Sequence, residues 1–221
     1  MSNNITSLIN FKAKFWFTDV LKISFPRLTP TKRSPKPPIL MTDDSVKWMS
    51  TIVEKTYRFD TEYLLIAHTY IKLSDFKILT SSDVLDVLTL SNSAVFDSDG
   101  NDIPIDILLQ RIPNVTSVNY HRPSNCPREI ITNSTMINLT NQNSLRYFNI
   151  KDFALSPTFD IQLICTFIKK NAAKKLDSSK ASFFFNLIYH SWEQKNQFTQ
   201  AIKEMLQEWT SKETKPNVYI T

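Results

Sequence analysis

One glycine, Gly100, occurs in 221 residues, where average usage of about 7% would supply roughly fifteen. Dinucleotide fingerprints, phosphate-cradling loops and nucleophile elbows each need glycine where the backbone approaches a ligand or turns with positive φ. None of these motifs can be written here, which excludes the nucleotide-dependent and hydrolytic classes built on them. Cysteine is almost as scarce. Cys126 and Cys165 lie in separate segments with no CxxC, a pattern of free or buried thiols rather than of a disulfide framework. Long apolar runs are missing as well: Lys12, Lys14, Asp19 and Lys22 interrupt residues 5–25, leaving neither a signal-peptide core nor the ~20 apolar residues of a membrane span. The sequons at Asn4, Asn114, Asn133 and Asn138 therefore carry no weight, because glycosylation needs a secretory route. These absences lead to the expectation of a cytoplasmic or nuclear protein without membrane contact.

The net charge is +5, and the pI is near 9.1. Its placement matters more than its size. Arg27, Lys32, Arg33 and Lys36 lie between Pro26 and Pro38 with no acid among them, so four of the five net charges fall in one short stretch. A nucleic-acid module spreads its cations over a folded face. Here the charge reads as a solvated linker, and no nucleic-acid partner is expected. The chain divides accordingly into an N-terminal segment (1–25), a proline-rich basic linker (26–40) and a folded domain (41–221). A 42% hydrophobic content with 12% aromatics is ample for a core.

The most informative feature present is a self-similarity at a spacing of thirty residues, seen when Leu85, Val115 and Leu145 are aligned. Each segment reads apolar-x-x-apolar-x-apolar: Leu85, Leu88, Leu90; Val115, Val118, Tyr120; Leu145, Phe148, Ile150. This is the strand half of a leucine-rich repeat, with alternate residues pointing into a shared core and the others facing outward along a parallel sheet. Parallel strands need crossovers, usually helical. Pro104 suits the opening of a helix carrying Ile105, Leu108, Leu109 and Ile112, and Asp160 caps one carrying Ile161, Ile164, Phe167 and Ile168. The middle crossover, with Ile130, Met136, Ile137 and Leu139, is weaker. Leu64, Leu65, His68 and Ile71 keep helical spacing ahead of the array, and Phe15 to Phe25 alternate as a strand. A fourth strand is expected at Ser182–Tyr189 after an interval of 36, followed by a capping helix over Ser191–Thr210. The expected class is α/β: a short leucine-rich-repeat-like solenoid with parallel strands, crossover helices and a C-terminal capping helix.

Sites for chemistry are few. Asp97 to Asp102 look like a calcium loop, but with Gly100 at the sixth position Val95 falls on the first ligand position. A polar turn is the better reading. His68, His121 and His190 form no metal motif, and no local nucleophile–base arrangement stands out. No cofactor, metal or catalytic residue is assigned. If the repeat holds, the interleaved outward residues form ladders across it: Val87, Ser117, Tyr147; Thr89, Asn119, Asn149; Ser91, His121, Lys151. Tyr147, Asn149, Asn119, His121, Lys151 and Thr89 are the candidate partner-binding residues, offering an aromatic anchor, amides and a cationic head.

The phrases LLQRIPNVTSVNY from Leu108, LRYFNIKDF from Leu145, FDIQLICTFIKKN from Phe159 and HSWEQKNQFTQAIKEML from His190 resemble those of nematode F-box-associated proteins, over residues 84–221. That family carries a leucine-rich-repeat-like array behind an N-terminal F-box. Phe25-Pro26-Arg27-Leu28 looks like the opening of an F-box, yet the proline-rich stretch follows where the helices that grip a cullin–RING ligase adaptor would stand. The resemblance implies a non-catalytic protein-binding module: the substrate-recognition part of an F-box-type ubiquitin-ligase receptor, or a decoy of one. Its implied partners are a substrate protein and, given a divergent F-box, the adaptor and cullin. The alternative is an enzyme or ligand-binding protein on a non-repeat α/β fold.

Overall fold

The computed structural model describes residues 15–24, 43–124, 126–141, 145–172, 180–212 and 214–221. The linker at 26–40 and the Phe25–Leu28 stretch lie outside them. In chain order the elements are β1 (Phe15–Ser24), α1 (Asp43–Lys55), β2 (Thr56–Ala67), β3 (Tyr70–Lys72), α2 (Leu73–Leu79), β4 (Val87–Ser91), β5 (Ala94–Phe96), α3 (Ile105–Gln110), β6 (Ser117–His121), β7 (Ile130–Ile131), α4 (Asn133–Asn141), β8 (Tyr147–Leu155), α5 (Gln162–Ala172), β9 (Ser182–Ile188), α6 (Trp192–Gln207) and β10 (Asn217–Ile220). The fold is α/β. Its main sheet runs β1-β2-β4-β6-β8-β9-β10, with β7 beside the far half of β8, and every pairing in it is parallel. A second, two-stranded sheet joins β3 to β5. No helix among the described residues is long and apolar enough to cross a membrane.

The alternation in the sequence becomes burial in the fold. Leu85, Leu88 and Leu90 are buried while Val87, Thr89 and Ser91 are half-exposed, and the same pattern recurs at 115–121 and 145–150. Leu88 pairs with Val118 and Val118 with Phe148, so the pairing itself has the thirty-residue offset. Into β9 the offset is 35 rather than 36, since Phe148 pairs with Phe183. One helical layer covers the buried side of the sheet. Rings fill the space between them edge to face: Phe148 lies 5.1 Å from Phe167, Phe167 lies 5.8 Å from Phe183, and Phe185 lies 6.1 Å from Phe198. The crossovers start as their sequences suggest. Pro104 is the N-cap of α3, and Asp160 Oδ1 accepts the Gln162 N–H at 3.0 Å ahead of α5. The weak middle interval forms α4, burying Met136 and Leu139.

Three expectations need correction. Leu64, Leu65, His68 and Ile71 are not helical: the first two lie in β2, His68 follows it with φ +58°, and Ile71 lies in β3. Leu64 and Ile66 alternate inward there, and the apolar Leu64–Ala67 run had masked that period. The last helix is shorter than Ser191–Thr210. Ser191 is its N-cap, accepting from Gln194 N, and Glu208 its C-cap. Nor does that helix finish the sheet, because β10 adds a further parallel strand against β9.

Equivalent positions, just past β2, β4 and β6 and at the register shift inside β8, carry a second regularity. His68, Asn92, Arg122 and Asp152 each follow a residue of one paired row, Ala67, Ser91, His121 and Lys151. Three of the four have left-handed backbones, with φ +58° at His68, +50° at Asn92 and +68° at Asp152. Asn, Asp and His are the non-glycine residues that tolerate this region best, which accommodates a fold that uses one glycine. The exception is Arg122, which turns inward.

Candidate protein-binding face

The residues interleaved between the buried ones form one solvent-facing surface. The pairing brings together every predicted ladder: Val87–Ser117–Tyr147, Thr89–Asn119–Asn149 and Ser91–His121–Lys151. Tyr147, Asn149, Asn119, Thr89 and His121 are half-exposed and Lys151 is exposed. His121 is the last residue of β6, and its Nε2 lies 2.8 Å from Asp152 Oδ2. Asn149 Nδ2 donates to the Tyr147 hydroxyl at 3.4 Å. A fourth row lies one residue earlier. Thr116 Oγ1 donates to Asp86 Oδ1 at 2.5 Å, and the Arg146 guanidinium donates to both Thr116 Oγ1 and Asp86 Oδ2, so three consecutive strands are tied by side chains thirty residues apart.

The sequence reading missed the aromatic end of this face. Phe184 on β9 pairs with Asn149 and lies 5.3 Å from the Tyr147 ring. Tyr219 on β10 stacks flat on Phe184, 4.4 Å away with 6° between planes, and is 49% exposed. Tyr147, Phe184 and Tyr219 thus form an aromatic row over three strands. The available signal was Phe184 itself, an aromatic at an outward position between the inward Phe183 and Phe185.

The second omission lies under the rim of the face. The Arg122 side chain is 1% exposed. Its Nη1 donates to Glu129 Oε2 at 3.1 Å and to the Tyr120 hydroxyl at 3.2 Å, and its Nη2 donates to Asp102 and to the Pro127 carbonyl. The guanidinium also lies near the Tyr120 and Phe153 rings. Glu129 Oε1 accepts the first N–H of α3, from Ile105, at 2.8 Å. Two loops and a helix start are therefore held by one cation. Arg122 N donates to Lys151 O, which links this cluster to the last row of the face.

Burial raises the Glu129 carboxyl from its usual 4.5 to about 7, the Ile105 N–H and Arg122 opposing the shift. A group raised on folding stabilises the protein while it is protonated in the folded state, so this contribution is complete below about 4.5 and is lost as pH rises through about 7. Unfolding free energy measured from pH 5 to 8 should therefore fall more steeply in the native protein than in Glu129→Gln. Parallel pH profiles for the two would refute this.

The acidic stretch beside the cluster is a turn, as expected. Asp97 Oδ1 accepts from Asp99 N and Asn101 N, its Oδ2 from Asn101 Nδ2, and Gly100 sits at φ +82°. Among the described residues no group of three His, Cys, Asp or Glu side chains is placed to hold a metal ion. Comparison with protein-family models, with characterised proteins and with solved structures returns no match.

Proposed function

We propose that this chain is a short leucine-rich-repeat-like solenoid acting as a non-catalytic protein-binding module through its open sheet face. The observation that carries the reading is the in-register set of half-exposed ladders ending in the aromatic row of Tyr147, Phe184 and Tyr219. Among the described residues the strands of the main sheet follow in sequential order with a helix between neighbours, and the outward positions of β4, β6 and β8 stay half-exposed or exposed. Tyrosine and phenylalanine there supply large contact area at low entropic cost, and the amides supply directional hydrogen bonds, the composition of an interface centre. The resemblance to F-box-associated proteins gives the partner a role: a substrate recruited for ubiquitination, or one sequestered by a decoy.

The test is affinity purification of the full-length protein from cells, with mass spectrometry scored for the ligase adaptor and cullin. It is run beside the Tyr147→Ala/Asn149→Ala double variant. The double variant should lose its retained partner at least tenfold while its thermal midpoint stays within a few degrees, because both side chains lie on the open face. Recovery of adaptor and cullin with both proteins identifies a receptor. Their absence beside a retained partner identifies a stand-alone module or decoy, and retention that ignores the double substitution refutes the face.

A further inference from the structure

The chemistry of the face is uneven, and the unevenness selects a kind of ligand. Its aromatic row is uncharged. One row further along the strands stand His121 and Lys151, and Asp152, the acid of that rim, is engaged by His121 at 2.8 Å. Lys151 is exposed and has no ion-pair partner among the described residues. The face therefore presents a solvated cation beside an aromatic platform.

We propose that the ligand of this face is an extended peptide segment carrying an aromatic or large apolar residue and, two positions away, an acidic one. The inference rests on the sheet face being the binding surface. Phe184 pairs with Asn149, and Lys151 lies two residues beyond Asn149 on the neighbouring strand, so the two sockets are separated by about 6.6 Å along the strands and about 4.8 Å across them. Side chains i and i+2 of an extended peptide project from one side about 6.6 Å apart. An extended peptide laid along the strands in either direction places its apolar side chain on the Phe184–Tyr219 stack and directs the carboxylate two residues away at Lys151, whose long side chain spans the ~4.8 Å offset between strands. The half-exposed Asn119 and Asn149 amides lie beside this path, within reach of the peptide's main chain. Opposite charge there sets register and partner choice more than affinity.

The experiment is selection of a displayed random-heptapeptide library on the full-length protein and on its Lys151→Glu and Tyr147→Ala variants, with thermal midpoints confirming that each is folded. The expected result on the native protein is enrichment of an aromatic or large apolar residue with Asp or Glu two positions away. Those peptides should bind Lys151→Glu about tenfold more weakly, and selection on Lys151→Glu should replace the acid with Lys or Arg. Peptides that need Tyr147 but show no acid, and bind Lys151→Glu equally well, overturn this inference while leaving the face reading in place. Peptides indifferent to both variants, or no enrichment, overturn both.

Discussion

Arg122→Ala should lower the unfolding free energy by about 3–5 kcal/mol, a large share of the ~5–15 kcal/mol that holds a domain of this kind folded. The guanidinium has almost no contact with water and serves Glu129, Asp102, the Tyr120 hydroxyl and the Pro127 carbonyl together. Removing it leaves a buried Glu129 carboxylate without its cation, and the cost lies more in that stranded charge than in the lost attraction. Glu129 is then expected to take a proton more readily still. The Arg122→Ala penalty should therefore be smaller at pH 5 than at pH 8, and smaller again in Arg122→Ala/Glu129→Gln. Urea denaturation at the two pH values measures it. A loss below about 1 kcal/mol at pH 8 would mean that water reaches the cluster.

Phe148→Ala should cost a similar amount, about 3–5 kcal/mol, for a different reason. Phe148 is fully buried in β8, an interior strand, with Phe167 at 5.1 Å and Phe185 at 6.1 Å, and sits in the paired row Leu88–Val118–Phe148–Phe183. Truncation opens a cavity that two flanking strands and α5 hold apart. Phe184→Ala, one strand over but on the open face, forfeits the ring contacts to Tyr147 and Tyr219, each worth about 0.5–1.5 kcal/mol. The contrast tests sidedness: near-equal losses for the two would mean that the face opposite the helices is also covered.

The thirty-residue period was legible in the sequence because the three central strands bury alternate residues on one side only, so Leu85, Val115 and Leu145 repeat a single burial pattern. The ladders followed from it, since aligned parallel strands place residues thirty apart side by side. What escaped depends on partners rather than pattern. Buried Leu64 and Ile66 with half-buried Leu65 in β2 make a continuous apolar run, and such a run fits helix and strand alike until neighbouring strands fix it. At four residues, Asn217–Ile220, β10 is too short to show alternation. The Arg122 cluster unites side chains from separate loops, and its only trace in the sequence is an arginine where Asn92 and Asp152 occupy the equivalent places.

The central claim, that the open sheet face is where a protein partner sits, is tested most directly by site-specific photo-cross-linking in cells. A photoreactive residue replaces Asn119, at the middle of the face, or Lys203, exposed on the helix side. The account predicts a discrete cross-linked protein at Asn119, abolished by Tyr147→Ala, and none at Lys203. A cross-link confined to Lys203, or one at Asn119 that survives Tyr147→Ala unchanged, would contradict it.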